Sequence, residues 1–328
     1  MVSQAEYRRP AVVLSSIGAR CGKCFLAEGE WTSLANTQLI LPDLDRVDPR
    51  FLWYQLDDES RWHRSGTGQP FIKPSDVKSH QVWMPPLDEQ RRIAAILDQA
   101  DALQQSRQKL LAAIPELTAS LFAEMYYSER TDWVEFGEAL STAEVFTDGD
   151  WVESKDQDPQ GGVRLTQLAD VGDGIWLNRS SRFLTVEKAK ELRCTFLAAD
   201  DILVARMPDP LGRACIFPGD VRPCVTVVDV CVIRPDPRVH EPTWLMAAIN
   251  SAKFRTQLAQ FATGTTRSRI SRRNLGKLFI PDVPVTEQRR FADAVGQIKQ
   301  FEDSALRASR RYDELRSSLR ATAFAGQL

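Results

Sequence analysis

The sequence has only three histidines, His63, His80 and His240, and no two of them are close in the chain. It contains no glycine-rich phosphate loop of the GxxxxGK[S/T] type. No apolar run approaches the ~20 residues that a membrane-spanning helix needs, and the N-terminus lacks the apolar core of a signal peptide. These absences argue against an ATP-driven motor, a methyltransferase and a membrane protein, and they predict a cytoplasmic location.

The sequence also has no surplus of positive charge, since it contains 42 Lys and Arg and 44 Asp and Glu, which gives a net charge of −2. The chain is therefore no obvious polybasic binder, although local charge matters more than the sum. Of the six cysteines, Cys21 and Cys24 form a CxxC motif, but no second CxxC or histidine pair accompanies it, so we predict reduced thiols and no zinc. Glu153 and Lys155 faintly resemble a nuclease pattern inside a polar loop. We predict no catalytic residue, metal or cofactor.

The chain does contain an internal repeat. "PPLDEQRRIAAIL" begins at Pro85 and "PVTEQRRFADAV" begins at Pro284. With Glu89 placed on Glu287, the spacing is 198 residues, and other positions match in order, including Gly66 on Gly264. Further upstream the spacing drifts to about 190 residues and aligns the turns around Gly22 and Gly212. Ordered matches over this length predict a duplicated unit, and 328 residues suit about two domains.

Each copy of EQRR opens a long apolar pattern with steps of three and four residues, which is typical of helices that pack side by side. We expect the helices to be capped by Asp88 and Thr286. The first pattern has a single polar member, Arg107. The apolar positions are Ile93, Ile96, Ala100, Leu103, Leu110, Ile114, Leu117 and Leu121, and then Phe291, Ala294, Ile298, Phe301, Ala305, Ala308, Tyr312, Leu315 and Leu319.

The segments outside these helices mix strand and helix patterns. Residues 11–17 and 224–233 are rich in β-branched residues and predict strands. Residues 185–193 and 243–262 predict helices. The fold class is α+β.

A proline-terminated strand, EQRRIA and a heptad helix ending in "SLFAEMY", all repeated after a second globular segment, resemble the specificity subunit of type I restriction-modification systems. The stretch "TGTTRSRISRRNLGKLFIP" before TEQRR resembles the end of that family's target-recognition domain. The terminal "AFAGQL" resembles the end of its second conserved helix. The resemblance covers essentially the whole chain.

The resemblance implies two mixed α/β target-recognition domains joined by two long heptad-patterned helices that pack antiparallel. We expect the first recognition domain to be incomplete, because the counterpart of residues 132–185 is missing from it, and to leave unpaired strand edges. The expected division is residues 1–87 (partial first recognition domain), 88–128 (central helix), 129–285 (second recognition domain) and 286–328 (C-terminal helix).

The function implied by the resemblance is recognition of a bipartite double-stranded DNA target without catalysis. The implied partners are two methylation subunits and, through them, restriction subunits. Self-association, or a fragment that completes the first domain, is a further expectation. The alternative is a helical interaction module that binds methylation subunits or its own kind without reading DNA.

Arginine pairs bidentately with phosphate or guanine, and threonine hydroxyls suit phosphates, so polar turns rich in these residues are candidate DNA contacts rather than plain solvated turns. In the second unit they are Thr265, Thr266, Arg267, Arg269, Arg272, Arg273, Asn178, Arg179, Arg182, Arg206 and Arg213; in the first they are Arg20, Lys23, Gln69 and Lys73. The repeated motif predicts subunit docking by Glu89, Gln90, Arg91, Arg92, Glu287, Gln288, Arg289 and Arg290.

Overall fold

A computed structural model describes residues 5–66, 68–128, 131–208, 210–264 and 268–324. The chain forms two compact units. Unit 1 contains residues 1–112 and 303–328, and unit 2 contains residues 113–302.

Unit 1 contains an antiparallel three-stranded sheet in the order β2-β1-β3. Its strands are β1 (Ala11–Ser15), β2 (Cys24–Ala27) and β3 (Thr37–Ile40). Two short helices follow, α1 (Pro49–Leu56) and α2 (Pro74–Ser79). The start of helix α1 is set by two residues. Pro49 is its first residue, and the Asp48 carboxylate caps the helix by accepting the N–H groups of Arg50 and Phe51.

Two helices of 40 residues each belong partly to both units: α3 (Leu87–Tyr126) and α9 (Val285–Phe324). They begin one residue before Asp88 and Thr286, which therefore lie in the first turn rather than at the predicted caps. Within unit 1, Asp101 pairs with Arg316 at 2.6 Å, whereas Arg107 reaches back to the Ala308 carbonyl at 3.3 Å. Residue numbers rise on one helix as they fall on the other, so the predicted antiparallel packing is confirmed.

Unit 2 is built around three sheets. An antiparallel sheet has the order β5-β11-β8-β9, a mixed sheet has the order β10-β6-β7, and β12 pairs with β4. The strands are β4 (Trp133–Glu135), β5 (Val145–Asp148), β6 (Val163–Thr166), β7 (Arg182–Leu184), β8 (Ile202–Ala205), β9 (Ala214–Ile216), β10 (Cys224–Thr226), β11 (Val230–Arg234) and β12 (Phe279–Pro281).

The helices of unit 2 are α4 (Phe136–Ala139), α5 (Val186–Glu191), α6 (Pro242–Asn250), α7 (Ala252–Phe261) and α8 (Arg272–Gly276). Trp244 and Phe254, on α6 and α7, are buried in the main core together with Phe122 of α3 and Phe291 of α9. The long helices are thus part of the core of unit 2 and not an appendage to it.

The internal repeat is visible in the strand register. Val12 opposes Ile40 in unit 1 as Ile202 opposes Ile233 in unit 2. The order β2-β1-β3 therefore corresponds to β9-β8-β11. One difference agrees with the expected unpaired edge: β11 has β5 on its outer side, whereas no strand of the described residues lies outside β3.

Candidate nucleic-acid interface

Several loops of unit 2 leave from the same end of the sheet β5-β11-β8-β9. Asp148, the last residue of β5, opposes Cys231, and Ala205, the last residue of β8, opposes Val230. The first residue of β9, Ala214, opposes the end of β8 as well. The loops that follow β5 and β8 and the loop that precedes β11 are therefore neighbours.

A hairpin carrying predicted DNA contacts is attached to this end. The backbone of Thr263 pairs with that of Arg269, and the N–H of Ile270 donates to the Arg206 carbonyl at 3.2 Å. Gly264 has φ +102°, which favours glycine in this turn. The Arg269 side chain is 43% exposed and bonds Asp229 at 2.9 Å, so it lies on the surface at a fixed place. The predicted contacts Thr265, Thr266 and Arg267 lie outside the described residues.

Helix α8 follows the hairpin directly. The Ser271 hydroxyl caps it by accepting from the Asn274 N–H at 3.1 Å. The Arg272 guanidinium lies 5.5 Å from the Phe146 ring centroid and donates to the Phe146 carbonyl at 3.3 Å, so its main contact is with β5. Arg273 is exposed.

The backbone of the predicted reading loop at residues 177–182 is fixed by hydrogen bonds to the Asp170 side chain. This fully buried carboxylate accepts the N–H groups of Arg179 at 2.6 Å and Ser180 at 2.8 Å, and it contacts Arg164 at 3.3 Å. The loop turns at Asn178, whose φ of 53° is left-handed. The side chains of Asn178 and Arg179 are exposed. Rigid backbone and free side chains suit a recognition loop, because little further ordering is needed on binding.

Arg182 lies at the start of β7 and is exposed, with its guanidinium donating to the Gln157 side chain at 3.1 Å. Asp170 and Arg164, which organise this loop, were not among the predicted site residues. Neither stands in a sequence pattern that distinguishes it from an ordinary surface charge.

Two predicted contacts are buried inside unit 2. Arg206 is 4% exposed and pairs with Asp148 at 2.9 Å. Arg213 is 8% exposed and donates to the carbonyls of Val171 at 2.6 Å and Leu168 at 2.9 Å. Both guanidinium groups are used to hold loops at the sheet end, so the structure does not support them as DNA contacts.

Unit 1 repeats the hairpin. Ser65 and Phe71 pair through their backbones, the Ile72 N–H donates to the Ser16 carbonyl at 2.9 Å, and Gly66 has φ +92°. The Ser65–Phe71 bridge with Gly66 therefore corresponds to the Thr263–Arg269 bridge with Gly264.

Two predicted contacts of unit 1, Gln69 and Lys73, lie within or just after this hairpin in the sequence, whereas Arg20 and Lys23 lie between β1 and β2. Gln69 and Arg20 are exposed, as is Lys73, which directly precedes α2. Lys23 is bound to Asp57 at 2.7 Å and is less free to contact a ligand.

The glutamines of the two EQRR motifs have a structural role. Gln90 is fully buried; its Oε1 accepts the N–H of Asp48 at 2.9 Å, and its Nε2 donates to the carbonyls of Arg46 at 3.0 Å and Pro85 at 2.8 Å. The amide therefore joins the start of α3 to the residue that caps α1.

Gln288 repeats this clamp in unit 2. Its Oε1 accepts the N–H of Glu241 at 3.0 Å, and its Nε2 donates to the carbonyls of Val239 at 3.2 Å and Val283 at 2.8 Å. It is 1% exposed. Because both amides are buried and satisfied, the docking role predicted for Gln90 and Gln288 is not supported.

The charged members of the motif are on the surface. Glu89 bonds Arg92 at 2.7 Å and Glu287 bonds Arg290 at 2.6 Å, each pair one helical turn apart. Arg91 is paired loosely with Asp88 at 3.7 Å, and Arg289 donates to the Pro237 carbonyl at 3.1 Å. These six residues remain predicted docking positions.

The thiols and the acidic loop show no catalytic arrangement. Cys21 and Cys24 are buried, and burial raises the pKa of the Cys24 thiol to about 12. Glu153 and Lys155 form an exposed ion pair at 2.6 Å. Within the described ranges, no three His, Cys, Asp or Glu side chains are grouped as metal ligands, and no helix is long and apolar enough to cross a membrane.

Residues 4–116 match the family described as type I restriction modification DNA specificity domain. The matched residues make up about a third of the chain. The specificity subunit of the type I restriction enzyme EcoBI of Escherichia coli is 23% identical, with the match covering 87% of this chain and 66% of that protein. The chain thus spans about two thirds of the length of its curated relative.

Two solved structures share the fold. A chain from a study of complex assembly and conformational transition of the type I R-M system has a TM-score of 0.70 at 18% identity, covering 100% of this chain and 85% of that chain. The HsdS subunit from Thermoanaerobacter tengcongensis has a TM-score of 0.58 at 21% identity, covering 100% and 84%. The resemblance to type I specificity subunits is therefore confirmed, as is the predicted fold of two mixed α/β units and two long helices.

Proposed function

We propose that the chain is a non-catalytic subunit that directs a type I restriction-modification complex to a bipartite DNA target. The observation that carries this proposal is the sheet end of unit 2, where the hairpin of Arg269 is attached. Positively charged side chains held on rigid turns are what base and phosphate recognition requires.

The repeated hairpin of unit 1 supports a second reading surface and hence a split target. We propose that residues 1–87 and 129–285 are the recognition domains, and that residues 88–128 and 286–328 are the helices that connect them. Methylation subunits would dock at the exposed charges of the two EQRR motifs, and restriction subunits would join through the methylation subunits. Catalysis would belong to these partners.

One observation favours the alternative in which the helices serve only as an interaction module. Leu103 and Leu110 of α3, both in unit 1, are 54% and 47% exposed at a spacing of seven residues. Such a stripe suits packing against another helix, either of a partner subunit or of a second copy. The two functions share this surface and differ in whether unit 2 reads DNA.

The deciding experiment combines the chain with type I methylation subunits and maps the methylated sites by sequencing. We expect the double variant Arg179→Ala/Arg269→Ala to lose methylation at its natural sites. If these residues read bases, each contact contributes ~1–3 kcal/mol, and the loss of DNA affinity depends on the base pairs of one half-site. If they bind phosphates, DNA affinity falls equally for all sequences and its salt dependence decreases. Lys190→Ala, an exposed change on α5, is the control and should leave methylation unchanged. Unaltered affinity of the double variant at low salt would remove both residues from the interface.

A further inference from the structure

Helices α3 and α9 enclose a groove of about 360 Å³ within unit 1. Arg107 of α3 and both Arg307 and Arg311 of α9 line it. Three guanidinium groups from two helices therefore share one small concave surface. It lies outside the sheet end and outside the EQRR motifs described above.

Arg107 is the polar residue that interrupts the apolar pattern of the first long helix. Its side chain crosses to α9, where it donates to the Ala308 carbonyl at 3.3 Å and lies 4.9 Å from the ring centroid of Tyr312. The Tyr312 hydroxyl in turn donates to the Ala100 carbonyl. These contacts fix one positive charge at the wall of the groove.

Arg307 and Arg311 are exposed and four residues apart, so they lie on one face of α9. Like charges at this spacing destabilise a helix. Asp303 and Glu314 are within one turn along the chain, yet the described residues form no ion pair with either arginine. Within the described part of the chain, neither Arg307 nor Arg311 therefore has an ion-pair partner, which favours an anionic ligand in the groove.

We propose that this groove binds phosphate groups of the DNA backbone. The inference rests on the proposed function, and it adds a contact that does not depend on sequence. The planar guanidinium fork matches phosphate oxygens and forms strong charge-assisted hydrogen bonds with them. A contact of this kind contributes affinity and salt dependence but no base preference.

The test is binding of the full 328-residue chain to a fluorescent DNA duplex of arbitrary sequence, followed by anisotropy over a range of salt concentrations. We expect Arg307→Ala/Arg311→Ala to reduce the slope of log affinity against log salt by about 2, since each phosphate contact contributes ~0.9. The matched control is Lys109→Ala/Arg310→Ala, which removes the same charge from exposed positions of the same helices outside the groove. Its slope should change by much less, and circular dichroism should show both variants folded.

Equal changes in the two double variants would show that total charge and not the groove matters, which overturns the proposal. An unchanged slope in the groove variant, or no binding of the unmodified chain at low salt, overturns it too. Competition by polyglutamate as strong as that by unlabelled duplex would assign the groove to an acidic polypeptide instead. The methylation map of Arg179→Ala/Arg269→Ala does not depend on these results, so the two proposals can fail separately.

Discussion

Replacement of Gln288 by alanine should destabilise unit 2, and by more than is usual for a substitution in the first turn of a helix. The change removes the acceptor for the Glu241 N–H and the donor for the Val283 and Val239 carbonyls, all at a site that is 1% exposed. A buried polar group that loses its partner costs ~1–3 kcal/mol. Because one N–H and at least one carbonyl lose their partner, we expect a loss of ~3 kcal/mol in the free energy of unfolding. For a unit of this size that corresponds to a fall in Tm of ~6–12 °C.

Urea and thermal unfolding followed by far-ultraviolet circular dichroism measure this loss. Gln300→Ala is the control, since Gln300 is exposed on the same helix and its replacement should change stability by less than ~0.5 kcal/mol. Gln288→Glu sharpens the test: it keeps the acceptor but sets a carboxylate against carbonyl oxygens. Burial should raise the pKa of that carboxyl, so the folded state would hold a proton that the unfolded state has released, and stability should fall as pH rises from about 4. If Gln288→Ala unfolds like Gln300→Ala, the clamp does not stabilise the unit.

Two further predictions concern the loop that follows β5. Burial raises the pKa of Asp150 to about 6, and its carboxylate accepts the Thr195 N–H at 3.0 Å. The folded protein then holds a proton that the unfolded chain loses near pH 4, so the free energy of unfolding should fall as pH rises from about 4 to 6 and level off above. Asp150→Asn should abolish this pH dependence. Parallel curves of stability against pH for the unmodified protein and Asp150→Asn would contradict the assignment. Gly149→Ala should lower the free energy of unfolding in urea by ~1–3 kcal/mol, because a Cβ there would lie too close to the Val227 carbonyl oxygen. Gly162→Ala is the control and should be close to neutral, since the nearest atom to its Cβ would be at 3.8 Å. Equal stabilities of the two variants would show that the loop moves to accommodate the methyl group at position 149.

The sequence predicted best those features that depend on local pattern. The starts of both long helices were found within one residue, because a proline, an acidic first turn and a heptad pattern coincide there. Strand β1 lies within the predicted stretch 11–17, because that stretch is rich in β-branched residues.

The predicted elements failed where tertiary contacts divide a continuous pattern. The predicted strand at 224–233 is two strands in different sheets, and the helix at 243–262 is two helices separated at Ser251. At that break the Asn250 side chain bonds both the N–H and the carbonyl of Ala214, at 2.9 Å each. A contact across 36 residues leaves no trace in local periodicity.

For the candidate site, residue type indicated chemistry but not exposure. Arg179 and Arg206 are equally plausible DNA contacts by sequence, yet one side chain is exposed and the other is 4% exposed against Asp148. The repetition of glutamine in EQRR was a real signal, but it was assigned to docking between subunits. Its cause is a buried hydrogen-bond clamp that each unit needs for itself.

The clamp also bears on how the units can change. Gln90 and Gln288 bond only main-chain groups of their units, apart from the long contact of Gln288 with His240 at 3.4 Å. Two of the residues that contribute those groups differ in type between the copies, Arg46 and Pro85 in one and Val239 and Val283 in the other. The third is an acidic helix cap in both, Asp48 or Glu241. Because the glutamine amides bond main-chain groups, the clamp itself places little constraint on the side chains of the residues that contribute those groups. Side-chain changes at Arg46, Pro85, Val239 and Val283 therefore leave the main-chain partners of the clamp in place.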